Sequence, residues 1–169
     1  MTARRRSKSI IDLITPEARS QIDRWVAKYP PDRKQAAVMA ALNIVQEQNG
    51  GWLSTELMDA VAEYLEMPPI AVYEVATFYT LYDLEPVGRH KIYVCTNIAC
   101  MLCGSGVIVE HLEKTLGIKI GETTADGKFT LKEAECLAAC AGAPMCLIDK
   151  SYHENLTLEK VDRILAALE

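Results

Sequence analysis

The chain has 169 residues, room for one ordinary domain or two small ones. Half of it is hydrophobic, 24% is charged and mean hydropathy is +0.04, a globular composition that excludes a disordered or fibrous chain. The net charge of −5 argues against a general nucleic-acid grip, and no run approaches the roughly 18 apolar residues of a membrane span, so no direct membrane insertion is expected.

The N-terminus carries Arg4-Arg5-Arg6 and Lys8, followed by Ile10-Ile11-Asp12-Leu13-Ile14. That apolar stretch is short and broken by a carboxylate, unlike a secretory signal. The basic start reads as a solvated tail and the chain as cytosolic.

From Thr15 to Leu84 the pattern is helical. Thr15 can cap a first helix, with Pro16 at its first position. Ile22, Trp25, Val26 and Tyr29 recur at i, i+3, i+4 and i+7, an expected inward face. Pro30-Pro31 stops that helix, and Asp32 with Gln35 resembles a capping box for the next. The second helix carries Val38, Met39, Leu42 and Val45 and ends at Asn49-Gly50-Gly51. Ser54 can cap a third, with Leu57, Ala60, Val61, Tyr64 and Leu65 inward. A fourth is expected from about Ile70 to Tyr82, with Tyr73, Phe78, Tyr79 and Tyr82 as packing residues. Four such stripes can share one core.

The pattern changes at Glu85-Pro86-Val87-Gly88, a turn-like linker. Lys91 to Cys95 reads as a short strand. Ser105 to Leu116 reads as a helix with Val107, Ile108, Leu112 and Leu116 inward, stopped by Gly117. An extended segment lies between Lys128 and Cys136, and Met145 to Asp149 is another apolar strand. Thr157 to Leu168 is a closing helix with Leu158, Val161, Ile164 and Leu165 on one side. The second half is therefore expected to be a small α/β layer. The domains divide at 1–86 and 87–169.

All six cysteines fall between Cys95 and Cys146, spaced Cys95-x4-Cys100-x2-Cys103, then Cys136-x3-Cys140-x5-Cys146. In a cytosolic chain such a cluster points to metal or redox chemistry. Four readings compete. A [2Fe–2S] cluster needs two thiolates per iron, which Cys95 with Cys100 and Cys136 with Cys140 can supply. Cys95, Cys100 and Cys103 with a distant fourth cysteine also match the plant-type ferredoxin spacing. Cys100-Met101-Leu102-Cys103 is a C-x-x-C between strand and helix, a dithiol arrangement that Pro144 before a strand would suit. The same four thiolates can also hold structural zinc. No G-x-G-x-x-G or Walker-type loop is present.

Several strings carry a resemblance. They are Tyr73-Glu-Val-Ala-Thr-Phe-Tyr-Thr80, Pro86-Val87-Gly88, Val94-Cys95-Thr96-Asn97, Cys100-Met101-Leu102, Gly121-Glu122-Thr123-Thr124, and Glu135-Cys136-Leu137-x-Ala139-Cys140 with Ala143-Pro144. In order and spacing they resemble the 24-kDa-type [2Fe–2S] subunits of respiratory complex I, the family of the E subunit of bacterial NADH-quinone oxidoreductase. The resemblance runs from about Thr15 to the end. It implies an α+β chain, an N-terminal helical bundle followed by a thioredoxin-like ferredoxin domain. It implies one [2Fe–2S] cluster on Cys95, Cys100, Cys136 and Cys140, near the FMN of a partner flavoprotein that also binds NADH. Electron transfer is then the function, on the cytoplasmic side of the inner membrane as part of a membrane-bound complex, with no catalytic residue on this chain. Similar subunits serve NAD-linked hydrogenases and formate dehydrogenases. Cys103, expected in a first helical turn, and Cys146, expected in a buried strand, match no family ligand. His90, His111 and His153 read as surface or packing residues. Two departures stand out: Ala138 replaces the usual Gly, and Ala99 often corresponds to Pro. If position 138 needs a positive φ, Ala adds strain there.

Overall fold

The computed structural model describes residues 9–168, so the expected basic tail at Arg4-Arg5-Arg6 lies outside the described residues. The chain divides into two compact units, Met1–Pro86 and Val87–Glu169.

The first unit is helical: α1 (Pro16–Val26), α2 (Val38–Gln48), α3 (Thr55–Leu65) and α4 (Pro69–Phe78). Capping sets two of the starts. Thr15 Oγ1 accepts the Ala18 N–H at 3.2 Å, and Ser54 Oγ accepts the Leu57 N–H at 3.3 Å. Pro16 and Pro69 open their helices, where a missing N–H costs nothing. Ile14, Ile22, Leu42, Val45, Leu53, Val61, Leu65 and Val72 make a fully buried core. Gln46 closes the unit's end. Its Nε2 donates to the Leu81 carbonyl at 3.1 Å, and its Oε1 accepts the Asp83 N–H at 2.8 Å.

Several predicted faces are corrected. In α1 the buried line is Ala18 and Ile22, continuing from Ile14. Trp25 and Tyr29 are exposed instead, and the Lys28 ammonium lies 3.5 Å over the Trp25 ring. The small Ala18 lets backbones approach closely, so the i, i+4, i+8 line wins over the bulkier one. No capping box forms at Asp32: a 3-10 turn, Lys34–Ala37, precedes α2 and is capped by no side chain. Met39 is exposed. The fourth helix stops at Phe78, because Tyr79 turns to extended backbone (φ −91, ψ 121). Phe78 is 77% exposed and Tyr79 is exposed, whereas Tyr82 is buried with its hydroxyl donating to the Met39 carbonyl at 2.9 Å.

The second unit has a four-stranded sheet in the order β2-β1-β3-β4: β1 (His90–Cys95), β2 (Phe129–Ala134), β3 (Cys146–Ile148) and β4 (Ser151–His153). β1 and β2 are parallel, and the other pairs are antiparallel. The short α5 (Ile98–Leu102) and the longer α6 (Ser105–Leu116) lie between β1 and β2, and α7 (Leu158–Ala167) closes the chain. Ile92, Val94, Ile108, Leu112, Leu131, Ile148, Val161 and Leu165 form the core. Val107, expected inward, is exposed. α5 and β4 carry no clear sequence signal, being five and three residues long.

Gly88 anchors the entry into this unit. Its N–H donates to Thr130 Oγ1 at 2.6 Å, and a Cβ there would stand 2.7 Å from the Phe129 carbonyl carbon and 2.9 Å from its nitrogen. Those atoms belong to β2 and cannot step aside without breaking the ladder. Gly88→Ala is expected to destabilise by about 1–3 kcal/mol, read as a lower urea midpoint. An unchanged midpoint would show that β2 yields there at no cost.

Candidate metal centre at the strand ends

The site follows from where three segments meet. Cys95 is the last residue of β1 and pairs with Ala134, the last of β2. β3 begins at Cys146, opposite Val94. The loop after β1, the loop after β2 and the segment entering β3 therefore share one end of the sheet. These segments hold Cys100, Cys103, Cys136 and Cys140, with Cys95 and Cys146 at the adjoining strand ends.

Cys95 and Cys100 are buried, 3% and 1% exposed, with Met145 beside them and Leu137, Ala139 and Ala143 packed around. The Asn97 side chain accepts the Ile98 N–H at 2.7 Å at the start of α5, the helix that carries Cys100. Cys136 and Cys140 are exposed. Cys140 opens a 3-10 turn, Cys140–Gly142, and the Ala143–Pro144 peptide is cis. That turn is held down. The Asn155 N–H donates to the Gly142 carbonyl at 2.6 Å, and the Leu156 N–H donates to the Pro144 carbonyl at 2.9 Å.

Backbone donors face the sulfurs. Burial works to raise the Cys95 thiol, but N–H groups of Asn97 and Leu137 and the Cys100 thiol outweigh it and hold it below the ordinary thiol range. Burial first, and then the bond to Cys95, push Cys100 up to about 11, against an N–H from Met145. The Ala138 N–H lies 3.4 Å from Cys136 Sγ. The Leu137 donor reaches Cys95 from the second cysteine loop, and Cys140 is close enough to act on Cys100 electrostatically. The two loops thus meet, with Cys140 near Cys100, while Cys136 contacts its own loop through the Ala138 N–H. Among the described residues, no group of three or more His, Cys, Asp or Glu side chains is placed to hold a metal ion. By chemistry, four thiols on two neighbouring loops, three of them with an amide donor at sulfur, are a donor set that fits an iron–sulfur group, whose charge such donors stabilise.

The other cysteines stand apart. Cys103 sits at the C-terminal cap of α5, not in a first helical turn, and is exposed. A five-residue helix ends before Cys103 can join Cys100 on its buried side. Cys146 lies in β3, where burial pushes its thiol up to about 12. The histidines are engaged elsewhere: His90 Nδ1 is 2.8 Å from Asp149, His111 Nε2 is 2.6 Å from Asp162, and burial and then Lys160 lower His153.

Ala138 has φ +58, the left-handed region where Gly is at home. The conformation costs an L-residue about 1–2 kcal/mol. Part of the relief in a glycine variant is offset by its freer unfolded chain. Ala138→Gly is therefore expected to stabilise by about 0.5–1 kcal/mol, seen as a raised denaturant midpoint. A lowered midpoint would show that the loop relies on the Ala methyl.

Comparison with known proteins places this arrangement. The family model for the thioredoxin-like [2Fe–2S] ferredoxin matches residues 22–169. The E subunit of the NADH-quinone oxidoreductase of Rickettsia felis (strain ATCC VR-1525 / URRWXCal2) is 49% identical over 140 residues, 83% of this chain and 84% of that protein. The corresponding protein of Rickettsia conorii (strain ATCC VR-613 / Malish 7) is 48% identical over 144 residues, covering 85% and 86%. The mitochondrial NADH dehydrogenase [ubiquinone] flavoprotein 2 of Dictyostelium discoideum is 45% identical over 85% of this chain and 58% of its own length. The crystal structure of an NAD+-reducing [NiFe]-hydrogenase in the air-oxidized state superposes with a TM-score of 0.67 at 21% identity, over 78% of this chain and 22% of that much longer chain. That last likeness bears on the fold alone.

Proposed function

The chain belongs to the thioredoxin-like [2Fe–2S] ferredoxin family, and from that premise we propose that it is the electron-transfer subunit of the NADH dehydrogenase part of an NADH-quinone oxidoreductase. Cys95, Cys100, Cys136 and Cys140 would hold its one [2Fe–2S] cluster. The observation that carries this reading is the meeting of the two cysteine loops at one sheet end, with amide donors on the sulfurs of Cys95, Cys100 and Cys136. A [2Fe–2S] group, when bound, supplies one-electron redox chemistry. The chain's own residues hold thiolates in place, neutralise part of their charge through N–H donors and shield the inner pair from water. FMN and NADH belong to a partner flavoprotein in this reading. No helix among the described residues is long and apolar enough to cross a membrane. The chain then serves at the cytoplasmic face of the membrane as a peripheral member of the complex. A diaphorase component of an NAD-linked hydrogenase is the second reading, favoured by the fold of the hydrogenase chain. Identities of 45–49% to complex I proteins weigh toward the first.

Residues 1–86 act as a docking module in this proposal, and residues 87–169 carry the cluster. Ile70, Phe78, Tyr79, Leu81 and Leu84 are large apolar side chains left exposed within the helical unit. Aromatic anchors of this kind dominate interface energies. Phe78→Ala is expected to weaken co-purification with the flavoprotein partner by tenfold or more, a loss of roughly 2 kcal/mol. Unchanged binding would remove Phe78 from the interface.

The cluster itself is tested by anaerobic purification. The expected product is red-brown, with about two irons and two acid-labile sulfides per chain and an S = ½ signal on reduction. Colourless protein with stoichiometric zinc would overturn the reading. Cys136→Ser should lose or strongly perturb the signal, and Cys103→Ser should keep it. The reverse outcome would favour the plant-type ligand set.

A further inference from the structure

We infer that Thr96 and Glu133 are positioning residues, a side-chain tie that locks the roots of the two cysteine loops together. The inference rests on the four-cysteine reading above. Thr96 is the first residue after β1 and follows Cys95 directly. It is bonded twice to the end of β2. Its N–H donates to the Ala134 carbonyl at 3.2 Å, and its Oγ1 donates to Glu133 Oε1. Glu133 and Ala134 are the last two residues of β2, opposite Val94 and Cys95. The second cysteine loop departs from there, reaching Cys136 two residues later. The first residue of one loop is thus fastened to the last two of the strand that launches the other.

Glu is a poor strand former. β2 is an edge strand, where a charge facing solvent needs no special reason. Glu133 is indeed exposed, yet its carboxylate is engaged as well. It reaches across to the hydroxyl beside Cys95. The backbone bond from Thr96 to Ala134 continues the ladder, but the side-chain bond is an addition that the sheet does not require. Two loops that must present thiolates to one group need their separation held, and a bond at the roots does that without touching the sulfurs.

The tie and the charge can be separated. Thr96→Val removes the hydroxyl and keeps the carboxylate. Glu133→Gln keeps an acceptor oxygen and removes the charge. Glu133→Ala removes both, and Thr96→Ser restores the tie. Each holoprotein is followed by visible absorbance during iron chelation, by EPR after reduction, and by its melting temperature. Thr96→Val and Glu133→Ala are expected to lose the cluster about fivefold faster, with altered EPR lineshape. Thr96→Ser and Glu133→Gln are expected to stay within about twofold of wild type. Wild-type behaviour of Thr96→Val in both readouts would overturn the inference. So would equal impairment of Glu133→Gln and Glu133→Ala with Thr96→Val silent, since charge alone would then be at work. If one of the tie-breaking variants fails to fold, the other still decides. Wild-type protein that holds no cluster would overturn the ligand reading, and this inference with it, as a separate result.

Discussion

The parallel pairing of β1 with β2 is the constraint on which the site depends. Parallel strands end at the same edge of a sheet, so the register Cys95 to Ala134 delivers both cysteine loops side by side. The antiparallel pairing of β1 with β3 adds a third segment, because the start of β3 then lies opposite the end of β1. Ligands of open α/β sheets gather outside the carboxyl ends of strands for the same reason. The cost is a crossover between β1 and β2, which α6 provides while filling the core with Ile108 and Leu112.

Burial divides the four proposed ligands into unlike pairs. Cys95 and Cys100 are enclosed with Met145, where an unpaired thiolate would be expensive. Amide donors from Asn97 and Leu137 answer that cost at Cys95, and one from Met145 does so at Cys100. The Leu137 donor comes from the second loop, so the two loops are tied at Cys95. Cys136 and Cys140 stay exposed on a loop pinned by Asn155 and Leu156. The inner pair is set by packing and the outer loop by backbone bonds, so in the proposed site the outer thiols are the ones that would still have to close on a metal.

The start of α1 was legible because Thr15 and Pro16 punctuate it, α3 from Ser54, whose side chain does cap it, and α7 from its apolar face, of which Val161 and Leu165 are buried. Gly117 stopped α6 at the expected place, in the left-handed conformation. The two-pair reading of the cysteines was legible as one of four, and spacing could not choose. What brings the two cysteine loops to one end is strand register, a long-range property that no local motif encodes. The same limit explains β4, whose Ser-Tyr-His has no period to read, and α5, too short for a stripe. Cys103 mimicked a dithiol partner in one dimension only. In the fold it caps α5 in solvent while Cys100 faces inward.

The misread faces carry a further argument. Periodicity counted Trp25, Met39, Phe78 and Tyr79 as core because they are large and apolar, yet the core closed around smaller residues such as Ala18, Ala41, Ala60 and Ala76. Alanines let helices approach closely, and once they do, no room is left for the aromatics. A large exposed ring brings no folding energy and carries an aggregation hazard, so its presence asks for a reason outside the unit. Local rules tend to fail at functional positions, where the residue answers to something other than its own fold. Phe78 at the end of α4, beside Tyr79 at a ring separation of 5.0 Å, is such a position. Its partner in the proposed complex would supply the burial that the isolated chain withholds.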